Sequence, residues 1–279
     1  METAEQLPLF AQAEALSALD QMFRSAHNYR TSRQFADLLK FLARFTDYSP
    51  YNCFLLHVQN PESTFVATAA RWKKQFHREI KPKARPLLIL APHGPVIFVY
   101  DYADTEGKDI LPEYLQNPFA TFGNITPRVF YNTLDGARRL NIALTKPELS
   151  LVHAGTAIRL SHTLRANLEL PDDIRYLIEI NENLPLTSQY ATLVHELGHI
   201  FSGHLGKIDD DPWPDRLGLG KSQVELEAES IAYLVCMRQR IQTKSVEYLA
   251  RFAELEKPLE QFSLDTVLKV AGKIEKMGA

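Results

Sequence analysis

Cysteine is nearly absent from this chain of 279 residues: there are two, Cys53 and Cys236, far apart and each in an apolar stretch. Neither belongs to a CxxC or CxxxxC pair. Thiolate zinc is therefore not indicated, and a buried free thiol is the expectation for both. Long hydrophobic runs are also missing. Stretches such as Leu87 to Ala91 fall far short of the ~20 apolar residues that cross a bilayer. Met1 to Phe10 is polar and acidic with no apolar core, so no secretory signal is expected. The resulting expectation is a cytoplasmic protein with no membrane partner. Neither charge sign dominates: 31 Lys and Arg face 34 Asp and Glu. Repeats and low-complexity tracts are absent as well. With 45% hydrophobic and 23% charged residues, the chain can bury one large core or two ordinary ones.

The pattern of apolar residues suggests helices first. Leu16, Leu19, Met22 and Phe23, then Phe35, Leu38, Leu39 and Leu42, recur at helical spacing. Ser49 to Asn60 reads as a helix with Ser49 as N-cap and Pro50 at its first position, and Thr68 to His77 as another. Two β-rich runs, 86–91 and 95–100, flank the turn at His93-Gly94 and predict a hairpin. Residues 104–127 hold Gly107, Pro112, Pro118, Gly123 and Pro127 and read as a linker. Beyond it, Thr126 to Ala143 is expected to be mostly helical, Leu149 to Leu160 and Ile174 to Asn181 to be strands. Thr187 to Leu205, Ser222 to Arg240 and the tail from Val246 to Met277 are expected to be helices. The fold class that follows is α+β, with one domain at 1–115 and a second at 116–279.

The residues that carry chemistry are His195-Glu196-Leu197-Gly198-His199. Positions i and i+4 share a helix face, so His195 and His199 aim both imidazoles at one point, with Glu196 beside it. Two histidines on a helix made apolar elsewhere by Leu193, Val194, Leu197, Ile200 and Phe201 need a partner, and a zinc ion is the natural one. A zinc held there keeps room for a third protein ligand and a water, and Glu196 is placed to act as general base. Glu225 and Glu229 are a second i, i+4 pair on a later helix, with Glu227 pointing elsewhere. One of the pair can bind zinc while the other orients a histidine; the spacing leaves open which. His204 lies five positions after His199, about 140° round a continued helix, and reads as a surface or capping residue. Gly198 removes a side chain where another element could approach.

The runs Tyr190 to His199 and Glu225 to Ala232 make the segment Ala191 to Val235 resemble the ImmA/IrrE family of zinc metallopeptidases. The resemblance implies a zincin-like domain, a Zn2+ cofactor, the third ligand at Glu225, and a protein substrate, a repressor-like regulator being one candidate. Glu229 stands where the family usually has Asn or Asp. The family lays its substrate against an edge strand near the metal, a place that Ile174 to Asn181 would fill.

Between residues 71 and 85 the cations Arg71, Lys73, Lys74, Arg78, Lys81, Lys83 and Arg85 face one acid, Glu79, with Trp72 and Phe76 interleaved. Cations for a phosphate backbone and rings for base stacking suit single-stranded nucleic acid. Together with Tyr51-Asn52, Val66-Ala67 and the Ile89 to Pro92 strand end, this region resembles the single-stranded-DNA-binding domain of ArdC-type antirestriction proteins. Two functions follow as alternatives. One is a zinc endopeptidase, DNA-regulated or using its basic segment on a protein partner. The other is a DNA-binding antirestriction or mobile-element protein whose zinc is structural or regulatory.

Overall fold

The computed structural model describes residues 32–91, 96–107, 123–148, 154–208, 211–254 and 262–279. The expected helix around Leu16 to Phe23, the hairpin turn at His93-Gly94, most of the linker and the start of the 149–160 strand lie outside them. The fold is mixed α+β.

The N-terminal part begins with α1 (Ser32–Arg44) and α2 (Pro50–Gln59). Ser49 caps α2, its hydroxyl accepting from the Asn52 amide at 3.3 Å, and Pro50 costs nothing at a position whose N–H would be orphaned. Then come β1 (Val66–Ala67), α3 (Ala69–Phe76), β2 (Arg78–Ile80), β3 (Leu87–Ile89), β4 (Ile97–Asp101) and β5 (Thr105–Gly107). The strands pair antiparallel as β1-β4-β3 and β2-β5. Helix α2 closes the outer edge of β3: the Gln59 amide exchanges two 2.8 Å bonds with Leu88, and the Asn52 amide exchanges bonds of 2.9 and 3.0 Å with Leu90. An edge covered this way offers no template for another strand.

The C-terminal part runs α4 (Pro127–Arg138), β6 (Ile142–Thr145), β7 (Gly155–Arg159), α5 (His162–Asn167), β8 (Tyr176–Ile180), α6 (Leu186–Phe201), α7 (Lys221–Arg238), α8 (Lys244–Glu254) and α9 (Leu264–Gly278). Residues 126–143 are mostly helical, as expected; beyond α4, Asn141 turns the chain through the left-handed region (φ 59°) and Ile142 pairs with Tyr176. One expectation is corrected here. The 174–181 strand, β8, is not an edge: it is central in the order β6-β8-β7, parallel to β6 and antiparallel to β7, and β7 takes the edge. The tail is helical, as expected, in α8 and α9.

Helix α6 packs on β7, β8 and α7. Gly155 makes the β7 contact possible, since a Cβ there would lie 2.5 Å from both the Glu179 carbonyl and the Thr192 methyl. Helix α7 is buried almost all round from Leu226 to Cys236, as the central helix of a core must be. One cluster of buried apolar residues includes Phe35, Leu39 and Phe54 as well as Leu193, Ile231 and Leu268. A smaller one gathers Phe65, Trp72 and Phe76 under the N-terminal strands. No helix among the described residues is long and apolar enough to cross a membrane.

Candidate metal centre

His195 and His199 stand one turn apart on α6, and their Nε2 atoms converge to 3.1 Å. The Glu225 carboxylate, from the first turns of α7, lies 3.6 Å from His195 Nε2 and 3.9 Å from His199 Nε2. Four-coordinate zinc with ligand bonds of ~2.0–2.2 Å sets its ligand atoms about 3.3 Å apart. The three atoms therefore fit such an ion after shifts of a few tenths of an ångström at the carboxylate, and two imidazoles with one carboxylate suit its chemistry. Burial, followed by the neighbouring His195 and His199's contact with His204, pushes the His199 imidazole down to about 3, toward the neutral form that can ligate.

Glu229 sits one turn beyond Glu225, with its carboxylate 3.7 Å from His195 Nδ1, on the side of that ring away from His199. Glu196 is buried between α6 and β7 and accepts a hydrogen bond from the Ala157 amide. Burial lifts its carboxyl above the usual range; the nearby His195 pulls the other way. A cavity of ≈ 360 Å³ opens beside His195, Glu196 and Glu229, walled by Gly155 at the start of β7, by Thr192 of α6, and by Thr243 before α8. A larger cleft of ≈ 1080 Å³ between α2, α4 and α9 holds none of these groups; volume alone is a poor guide here. The phenol of Tyr248, half-buried on α8, is raised by burial and then by the charges of Glu225 and Glu229, so α8 also faces the cluster.

Residues 152–269 match the family model of the IrrE N-terminal-like domain, Peptidase_M78. The matched segment contains His195, Glu196, His199, Glu225 and Glu229. No curated protein matches the chain. Among solved structures, the metal-free crystal structure of the antirestriction ArdC protein from the R388 plasmid aligns with a TM-score of 0.33 at 15% identity, covering 82% of each chain.

Of the two readings of His204, the surface one is corrected and the capping one holds: the residue is buried, and its amide donates to the His199 carbonyl at 3.1 Å across the end of the helix. Helix α6 stops at Phe201 and the chain reverses through Gly203 in the left-handed region (φ 75°). His204 thereby returns to the site, its Nδ1 3.0 Å from His199 Nδ1. Only glycine can make that turn, because a Cβ on residue 203 would sit 1.9 Å from the Pro214 carbonyl. Gly198 is less constrained; its Cβ would make ordinary 3.5 Å contact with Ala228 of α7. The connection from 206 to 221 is anchored at Asp211 and Trp213. Trp213 is buried, and buried Asp211 takes bonds from Arg175 at 2.6 Å and Tyr176 at 2.9 Å.

The basic segment divides. Trp72 is fully buried and its indole N–H donates to the Tyr100 carbonyl, so it offers no face to a base. Arg78 is buried too, its guanidinium bonding Thr105. Arg71 pairs with Asp47 at 2.7 Å. Lys73, Lys74, Lys81, Lys83 and Arg85 remain exposed.

Proposed function

We propose that the protein is a zinc-dependent endopeptidase acting on a protein substrate. The observation that carries this reading is the convergence of His195, His199 and Glu225 beside a buried carboxylate, Glu196, with a cavity next to His195 and Glu196. His195, His199 and Glu225 would hold the ion. Zinc bound there supplies a Lewis acid for a carbonyl and lowers the pKa of a water to about 7. Glu196 takes the proton of the attacking water and passes it to the leaving amine. Its Ala157 hydrogen bond and its burial hold the carboxylate in one orientation for both transfers. The outer edge of β7 can pair with an extended peptide, a main-chain mode that selects proteins as substrates. A repressor-like regulator encoded beside this protein is the substrate to try first.

Metal analysis of the purified protein should give about one zinc per chain. His195→Ala with His199→Ala should lose it. Glu196→Gln should retain zinc and abolish cleavage, since it removes a base and not a ligand. Stoichiometric zinc in the double histidine variant would overturn the site; cleavage by Glu196→Gln would overturn the mechanism.

A second reading, a DNA-binding antirestriction or mobile-element protein with a structural or regulatory zinc, is favoured by one surface. The exposed cations of α3 and the β2–β3 connection lie in the same part of the chain as an apolar face of the hairpin, where Leu88 and Phe98 are cross-strand partners, 40% and 55% exposed. Phe98 takes over the stacking role expected of Trp72. Single-stranded DNA should bind with an affinity that falls with salt at a slope of about 0.7 per phosphate neutralised. Replacing Lys73, Lys74, Lys81 and Lys83 with alanine should flatten the slope, and Phe98→Ala should cost about 1–3 kcal/mol of binding. Trp72→Ala should instead lower the melting temperature. No binding of a strand of about 20 nucleotides at low salt would remove this reading.

A further inference from the structure

Behind His199, on the side away from the metal position, four segments bring polar groups to one buried point. His204 Nδ1 lies 3.0 Å from His199 Nδ1, and His204 Nε2 lies 3.0 Å from a Glu227 carboxylate oxygen. Arg216 grips Glu227 with two guanidinium nitrogens, at 2.5 and 2.7 Å, and the Ser263 amide adds a bond at 2.8 Å. The His204 side chain is 2% exposed and that of Glu227 is fully buried. Glu227 belongs to α7 but points opposite to Glu225 and Glu229, as residues two apart on a helix do. We propose, resting on the metal reading above, that His204, Glu227 and Arg216 form a positioning relay that keeps His199 in the one tautomer able to bind zinc.

The proton count carries the proposal. Each hydrogen bond needs one donor and one acceptor, and a neutral imidazole has one of each. Zinc takes the lone pair on His199 Nε2, so the His199 proton must sit on Nδ1. Its acceptor is His204 Nδ1, which therefore carries no proton. His204 then bears its proton on Nε2, where it donates to Glu227. The opposite arrangement places a proton on His204 Nδ1, moves the His199 proton onto the metal-binding nitrogen, and turns a bare His204 Nε2 toward a carboxylate. Two acceptors at 3.0 Å repel. Glu227, accepting from Arg216 and Ser263 as well, thus sets His204, and His204 sets His199. The Arg216–Glu227 pair would suffice for a purely structural ion pair; the His204 ring with its second nitrogen on His199 is the part that only metal binding uses. The turn at Gly203 and the packed 211–216 connection exist at the positions that deliver His204 and Arg216 to this point.

Two measurements test the relay. Long-range nitrogen–proton NMR of the zinc-loaded wild type assigns each tautomer; protons on His199 Nδ1 and His204 Nε2 are expected, and a proton on His204 Nδ1 overturns the proposal. Chelator competition then gives zinc affinities. His204→Phe, which fills the space without an acceptor, should weaken zinc binding by about 10–100-fold. His204→Gln, whose amide can accept from His199 and donate to Glu227, should recover much of it. Wild-type affinity in a folded His204→Phe protein overturns the relay while leaving the metal site standing. If that variant fails to fold, the tautomers and His204→Gln decide. Zinc-free wild type at saturating metal would defeat the metal reading itself, and the relay with it.

Discussion

At the scale of single residues, Glu225 and Glu229 have the same chemistry and differ by one helical turn. Glu225 faces the nitrogens that converge, while Glu229 faces the outer nitrogen of His195. Glu225→Gln should therefore weaken zinc binding more than Glu229→Gln, whose loss should be about 10–100-fold, the cost of removing a group that orients a ligand. The reverse order in chelator competition would move the ligand to Glu229. The helical repeat alone puts His195 with His199, and Glu225 with Glu229, on common faces. It cannot choose between the two glutamates, because that depends on how α7 is rotated against α6. His204 shows the same limit more sharply. Counting along a helix sends it away from the site; a helix that ends at Phe201 and a glycine at positive φ bring it back.

At the scale of elements, local signals suffice where a cap or an apolar run sets the identity. Ser49, Pro50 and Thr68 announce the starts of α2 and α3 because a cap acts within three residues, and the apolar runs of β3 and β4 announce a hairpin. Elements whose identity comes from a distant partner leave no such signal. Ile142 to Thr145 has too few residues to show a period, and becomes a strand by pairing with Tyr176 to Glu179. Strand β7 becomes the edge only because β6 enters on the other side of β8. The aromatic–cation mixture of α3 likewise resolves only on folding: one face of a short helix buries Trp72 and Phe76 and the other leaves Lys73 and Lys74 in water.

At the scale of the whole molecule, the two halves meet at Arg238. From the end of α7 its guanidinium donates to the Leu42 carbonyl at 3.1 Å and the Phe45 carbonyl at 2.8 Å, to the Tyr48 carbonyl, and to Glu275 of α9. The helix that carries Glu225 at its start thus fastens the α1–α2 turn at its end. Arg238→Met should cost about 3–5 kcal/mol of stability, because it strands a buried carboxylate and several carbonyls. Adding Glu275→Met should recover part of that loss in thermal unfolding. A single variant melting like the wild type would show that the clamp contributes nothing. By itself the sequence determined the α+β class, the metal-type histidine pair with its neighbouring glutamate, and the surface cations, because each is written in short-range spacing or composition. Tertiary structure alone decided which glutamate faces the imidazoles, which strand is the edge, that Trp72 and Arg78 are interior, and that His204, Glu227 and Arg216 stand behind His199. Those outcomes depend on the rotation of α6 against α7 and on where helices stop, quantities set by the packing of residues far apart in the chain.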